Sequence, residues 1–561
     1  MASLNFKGKS AVWNHHLSVP FHTLDEDKKL SLKGGGANEN LIIEGDNLLA
    51  LKALLPKYQG KVKCIYIDPP YNTGNEGWVY SDSVSSPIIK EWLGKEVGIE
   101  DLTRHDKWLS MMTPRLKLLY DLLAKDGVVF VSIDENELYN LKSLLDAIFK
   151  EANFCANITI QVNKGGRDYL PIAITHEYLL CYFKSEDGDI NELEDDEIVF
   201  PFKDSDGGYA IRELRNRNPR FNRTNRPNLY FPIYVNPKSA NKDGECSISL
   251  ERDSSYSIEV YPLNSLGRDS CWRWGKPKVQ QNIEPTVDKS QAFAKVRRDG
   301  VYNIYEKSRK SSHKAKSIWD ESEVRTEQGT IDLRELGLGG LFDHPKPVYL
   351  IKKVLRLITD DDSIVLDSFS GSGTTAQAVI ELNEKDHGTR KFILIQLPEK
   401  IKEGTPAYLA GYRYVHEITR ERVKRVIDKS KNISGFTYYK LGPAIDAETM
   451  LAGELPTYEN FAKYVYYLAT GKDHPSTKTI NPKTYLVGKT ERESIYLVYE
   501  QNMDKLKSLA ITLKWAQDTQ AKDKGKKIVY APACYLDEES LDQFNIQFVS
   551  IPYNLFERND L

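Results

Sequence analysis

Two blocks of strand–helix alternation, separated by a long stretch without it, constrain the fold of this 561-residue chain more than any other feature. In the first block, LIIEG (41–45), VKCIYID (62–68), GVVFVSID (127–134) and HEYLLCYFK (176–184) read as strands. Asn47 to Leu55 and Trp108 to Leu123 space their apolar residues as helices do. Alternation resumes at KPVYLIKKVLRLI (346–358), SIVLDSF (363–369), TTAQAVIEL (374–382) and KFILIQL (391–397). Such alternation implies an α/β fold whose parallel sheet is covered on both faces. The two blocks are expected to build one sheet domain, 41–184 and 341–440, interrupted by an insertion over 185–340. Residues 1–40 form an N-terminal extension, and 441–561 a small C-terminal α/β domain, with hairpin-like strands around 484–499 and a helix near 504–517. The acidic run EDGDINELEDDE (186–197) reads as the linker into the insertion.

Composition narrows the class. The chain is 40% hydrophobic and 28% charged, and no apolar run is long enough to span a bilayer. The start, MASLNFKGKSAVWNHH, lacks the apolar core of a secretory signal. Six cysteines (64, 155, 181, 246, 271, 534) form no Cys-x-x-Cys pair, and the histidines show no His-Glu-x-x-His spacing. No metal site is expected, and a reducing cytoplasm is the expected compartment. Net charge is only −3, but it is segregated: Lys203 to Lys316 holds 23 Lys and Arg against 13 Asp and Glu. A positive segment of this kind suits a phosphate-bearing partner, although a solvated surface shows the same composition.

Chemistry concentrates at two turns. Asp68-Pro69-Pro70-Tyr71 follows directly on an apolar strand, where ligands of open parallel sheets bind. Consecutive prolines fix the backbone and leave carbonyls to accept from an amine, and the adjacent carboxylate accepts its other hydrogen. An NH2 group held this way aims its lone pair at an electrophile, gaining rate through orientation. Tyr71 can stack on a nucleobase that has left its helix. The second turn, Phe369-Ser370-Gly371-Ser372-Gly373-Thr374, lies between a strand and a helix, where glycine lets backbone approach a ligand. It lacks the third glycine of the dinucleotide fingerprint. Gly488-Lys489-Thr490 resembles the tail of a phosphate loop, but Lys483 stands where its first glycine belongs, so it reads as a hairpin turn.

The insertion carries Arg212, Arg215, Arg217, Arg220, Arg223 and Arg226, interleaved with Asn, Phe221 and Pro227. A second basic run, Lys295 to Lys316, includes Tyr302, Tyr305 and Lys314. Arginine and asparagine pair with guanine and adenine edges, and arginine also grips phosphate, so these are the expected DNA contacts.

Taken together, NLIIEGDNLLALKALL, IYIDPPYNTGNEGWVYSD, the run from KWLSMMTPRL to VVFVSIDENE, RPNLYFPIY, SSHKAKSIWDE, DHPKP and VLDSFSGSGTTAQAVIELN resemble the beta-group amino-methyltransferases. The resemblance covers roughly 40–440 and is greatest to modification subunits of type III restriction–modification systems. It implies a Rossmann-like S-adenosylmethionine-dependent sheet interrupted by a target-recognition domain, with the catalytic half first and the cofactor half second. It implies that Asp68 and the Pro69 carbonyl hold the amino group of a flipped adenine, with Pro70 and Tyr71 completing the catalytic motif. The cofactor would lie against Asp46, Asp68, Asp367, Phe369, Ser370, Gly371, Gly373 and Thr374, with Lys346 and Pro347 over its methionine end. Many relatives carry an acidic residue after the next strand for the ribose; this chain offers Gln396, with Glu399 beyond. Asp before Pro-Pro-Tyr implies N6-adenine methylation of duplex DNA without a covalent intermediate. Homodimerisation and a restriction (helicase–nuclease) subunit as partner are implied too. An RNA adenine methyltransferase, or a recognition subunit whose main role is target binding for a nuclease, are the competing readings.

Overall fold

The computed structural model describes residues 4–34, 39–74, 103–166, 171–194, 200–218, 220–264, 266–430 and 434–551. The tail of the first motif, 75–82, and part of the acidic run, 195–197, lie outside them. The chain forms two compact units, Met1–Asn191 with Lys316–Leu561, and Glu192–Ala315.

The large unit is built on a ten-stranded sheet. In chain order its strands are β1 (His22–Glu26), β2 (Leu41–Glu44), β3 (Val62–Ile67), β4 (Leu123–Ile133) and β5 (Phe154–Gln161). The remainder are β6 (His176–Phe183), β7 (Ile318–Trp319), β8 (Ile364–Asp367), β9 (Lys391–Gln396) and β10 (Thr437–Ala444). Their order across the sheet is β1-β10-β2-β9-β8-β3-β4-β6-β5-β7. From β10 to β4 all neighbours are parallel, whereas β6 runs antiparallel between β4 and β5. The inner parallel strands β2, β9, β8, β3 and β4 are buried on both faces, which is why Ile, Val, Leu and Phe run through them without polar alternation.

Helices α1 (Asn47–Tyr58), α2 (Arg104–Leu122), α3 (Leu138–Phe149), α4 (Thr326–Glu335), α5 (Val348–Ile358), α6 (Thr374–Asp386) and α7 (Val415–Lys429) complete this framework. The chain leaves β8 through α6 towards β9 on one side and β3 through α2 towards β4 on the other. Between β8 and β3 the connections therefore diverge, opening a crevice at the carboxyl ends of the strands. β2, β9, β8 and β3 are adjacent in that order, and Asp46, Gln396, Asp367 and Asp68 stand at or just past their carboxyl ends.

Three sequence boundaries are corrected. The N-terminal extension contributes β1, an edge strand antiparallel to β10. Residues 316–340, read as insertion, belong to the large unit, because β7 pairs with β5 and α4 packs against the segment before α5. A Cβ on Gly329 of α4 would fall 1.9 Å from the Pro345 carbonyl oxygen, so only glycine permits that approach. The C-terminal segment carries a four-stranded sheet and a hydrophobic cluster of its own, yet it is joined to the large unit: Phe461, Tyr464 and Tyr467 of helix α8 (Tyr458–Thr470) share a hydrophobic core with Leu51, Leu54 and Leu55 of α1. Its strands Leu486–Lys489 and Glu493–Leu497 pair antiparallel with Lys489 opposite Ser494, a hairpin at Gly488-Lys489-Thr490. The helix expected near 504–517 is two, Met503–Leu506 and Leu513–Gln520, because Ile511 is drawn into a bridge with Cys534. Among the described residues no helix is long and apolar enough to cross a membrane.

The smaller unit is a set of short antiparallel strands around Leu214, Phe231, Ile233, Trp272, Ala294 and Ile304. The buried Trp272 indole donates to the Phe231 carbonyl at 2.7 Å.

Candidate active site

Asp68 follows β3 and heads a hydrogen-bonded cluster. The Tyr71 hydroxyl donates to Asp68 Oδ1 at 2.9 Å and lies 3.1 Å from Glu177 Oε2. Lys346 Nζ donates to the Tyr71 hydroxyl and to Glu177 Oε2, both at 2.6 Å, and stands 3.4 Å from Asp68 Oδ1. Burial pushes the Asp68 carboxyl up from the ordinary aspartate range, although the Lys346 ammonium opposes it. For Lys346, burial favours the neutral amine, but the carboxylates of Asp68 and Glu177 outweigh it and hold the ammonium charged. The Pro70 carbonyl accepts from the Trp108 indole at 2.7 Å, leaving the exit of the turn pinned to α2. Asn72, at φ 59°, is buried and donates to Glu137, whose carboxylate also binds His105 Nδ1 at 2.6 Å.

The second turn adjoins this cluster. Asp367, at the end of β8, accepts from the Phe369 amide at 3.0 Å and from the Thr375 hydroxyl. Burial raises its carboxyl to about 7. Gly371 (φ 49°) and Gly373 (φ 85°) take left-handed conformations, and Gly373 caps α6. Gln396 accepts from the Gly371 amide at 2.7 Å, bracing the turn, and donates to the Leu397 carbonyl at 3.3 Å. Thr374 donates to the Lys346 carbonyl at 3.2 Å, and Pro347 begins α5, whose Val348 amide donates to Asp332 at 2.8 Å. Asp46 caps α1, accepting from the Leu48 amide at 2.8 Å. Its neighbour Asn47 donates to the Ser368 carbonyl at 3.1 Å, tying the end of β2 to the turn after β8.

Residues distant in sequence thus meet here: Asp68, Tyr71 and Lys346 in one cluster, and Asp367, Ser370, Gly371 and Gln396 in the adjoining turn. Two residues escaped the sequence reading. Glu177 is the second residue of β6, and because β6 is antiparallel its first residues lie where β3 and β4 end. Arg422 of α7 is fully buried and donates to Ser372 Oγ at 2.6 Å, Thr374 Oγ1 at 2.7 Å and Gln377 Oε1 at 2.9 Å. Neither carried a local signal, since a glutamate near the start of a strand and an arginine in an amphipathic helix are common.

A two-turn site at a strand-order reversal is shared by many cofactor-dependent folds, so sequence comparison decides among them. The family described as DNA methylase (N6_N4_Mtase) matches residues 62–406, more than half of the chain. The type III restriction-modification enzyme EcoPI Mod subunit of Escherichia phage P1 is 36% identical over 458 residues, 77% of this chain and 69% of that one. The chain belongs to the DNA methylase family. The type II methyltransferase M.KpnI of Klebsiella pneumoniae is 34% identical over 426 residues, 74% of this chain and 94% of that one. The StyLTI Mod subunit of Salmonella typhimurium is 30% identical over 436 residues, 76% and 61%.

In this DNA methylase the six insertion arginines do not stand alike. Arg215 is largely buried and fixed by both oxygens of Glu213, at 2.8 and 3.2 Å. Arg217 donates to the same carboxylate at 2.8 Å yet remains exposed. Arg223 lies against the Tyr230 ring and Arg226 against Phe221, both exposed, as are Arg220 and Lys314. Arg212 is exposed and lines, with Arg217, Arg273, Asn216 and Asn218, a cleft of about 470 Å³. Glu213 also lines it, and Arg273 pairs with Glu306 at 2.7 Å.

Proposed function

We propose that this DNA methylase transfers a methyl group from S-adenosylmethionine to the N6 amino group of adenine in duplex DNA, in the cytoplasm, as the modification subunit of a type III restriction–modification system. The observation that carries the reading is the position of Asp68-Pro69-Pro70-Tyr71 beside the glycine turn at the strand-order reversal. The turn fits the cofactor: left-handed glycines beside a half-buried Phe369 let backbone approach a ligand, and Asp367 and Gln396 hold that shape. Asp46, Phe369, Ser370, Gly371, Gly373 and Thr374 would hold the cofactor, with Lys346 and Pro347 at its methionine end. When bound it supplies an electrophilic methyl on a sulfonium.

The chain's own groups then do the orienting. Asp68 accepts one amino hydrogen of the flipped base. The Pro69 carbonyl, by the family resemblance, accepts the other, while the Pro70 carbonyl already accepts from Trp108. Tyr71 offers its ring as the stacking platform, its hydroxyl anchored by Asp68, Glu177 and Lys346. Gln396 supports the glycine turn rather than the ribose. Outside the catalytic unit, the exposed arginines Arg212, Arg217, Arg220, Arg223 and Arg226, with Lys314, contact DNA, while Arg215 shapes the cleft that Arg212 and Arg217 line. A second copy of the chain and a restriction subunit complete the assembly in this reading. The match to M.KpnI, over 74% of this chain and 94% of that one, supports a second reading, a type II methyltransferase.

Single-molecule methylome sequencing of DNA from cells expressing the chain tests the reading. N6-methyladenine at one recurrent site is expected, and unmodified DNA overturns both readings.

A further inference from the structure

The geometry points to Glu177 as a positioning residue for methyl transfer: it draws the Lys346 ammonium towards itself, so that the ion pair Lys346 makes with Asp68 is the longer contact and Asp68 keeps accepting capacity for the target amine. The inference rests on the reading of Asp68 as the acceptor of the amino hydrogen. Three charged groups share this corner, two carboxylates and one ammonium. Lys346 Nζ is 2.6 Å from Glu177 Oε2 but 3.4 Å from Asp68 Oδ1, so its short contact is with the glutamate. The Tyr71 hydroxyl, 2.6 Å from the same nitrogen, fixes it from a second direction. Without Glu177, the nearest counter-charge left to a buried ammonium is Asp68, and buried charges pair. A charge-assisted bond from lysine outcompetes the neutral bond an adenine amino group offers to the same oxygen.

This arrangement has a signature that mere space-filling lacks. Asp68 faces Lys346 and Tyr71, Glu177 on β6, Tyr66 on its own strand and Asp367 on β8. Asp134 lies near Glu177 from the end of β4. The Glu177 charge raises the Asp68 carboxyl and the Lys346 charge lowers it. Removing Glu177 takes away the first influence and brings the second closer, so both changes move the Asp68 titration down.

The test is the pH dependence of kcat/KM for methyl transfer from labelled S-adenosylmethionine to unmethylated chromosomal DNA, with the full chain. For Glu177→Gln the plateau is expected to fall roughly tenfold to a hundredfold, the worth of one charge-assisted contact. Its acidic limb is expected to move to lower pH. Glu177→Asp, which keeps the charge but draws it back by one methylene, should lie between the two proteins. A normal rate, or a reduced plateau with the limb unmoved, overturns the proposal. If Glu177→Gln does not fold, Glu177→Asp decides by the same criterion. A wild-type protein that methylates no DNA refutes the functional reading and this inference with it; an active one with an unmoved limb refutes the inference alone.

Discussion

Gly373 shows how a single residue sets the turn after β8. At φ 85° it caps α6, and a Cβ there would lie 3.2 Å from Thr419 Cγ2 and 3.3 Å from the Thr419 carbonyl oxygen. Gly373→Ala should therefore cost about 1–2 kcal/mol of left-handed strain, lowering the melting temperature and weakening S-adenosylmethionine binding measured by calorimetry. Asp68 carries a second prediction. Its carboxyl is raised by burial and must be ionised to accept the amino hydrogen, so kcat/KM should fall with acidification at a higher pH than an ordinary aspartate gives. Asp68→Asn should abolish that limb along with at least about a hundredfold of the rate. Both residues were legible because their motifs are local, four to six consecutive residues after a strand. Glu177 and Arg422 were not, because each acquires meaning only through partners about a hundred or fifty positions away, brought near by sheet order and helix packing.

Among the elements, the inner parallel strands were readable because burial on both faces leaves an unbroken apolar run. β5 was missed: FCANITIQ is only half-buried and carries polar residues on a strand next to the sheet's edge. The insertion showed no period because its strands are two to seven residues long, too short for one to register. At this scale the Asp367 carboxyl links the turn to stability. Its folded pKa, about 7, lies above its unfolded value, so the stability it contributes is complete below that unfolded value and is lost as pH rises through about 7. Melting temperature should fall as pH rises from the ordinary aspartate range to about 7 and level off above it in the wild-type protein, and Asp367→Asn should flatten that fall in a calorimetric series. The pinning of the Asp68 turn by α2 gives a further test. Trp108→Phe keeps the packing but frees the Pro70 carbonyl, and should cost about 1–3 kcal/mol of stability by denaturant titration.

At the scale of the molecule, one sheet is assembled from sequence on both sides of Glu192–Ala315, a unit with its own core. If that unit reads DNA, replacing it with the corresponding segment of a relative of different specificity should change the methylated sequence and spare the chemistry; an unchanged site would place recognition elsewhere. The central claim, that the cluster at Asp68 methylates adenine N6, is reached most directly by nucleoside mass spectrometry. Duplex DNA is incubated with S-adenosylmethionine and either wild-type protein or Asp68→Ala, then digested to nucleosides. The account predicts N6-methyladenine with the wild type and none above background with the variant. N4-methylcytosine as the product, or undiminished N6-methyladenine from Asp68→Ala, would contradict it.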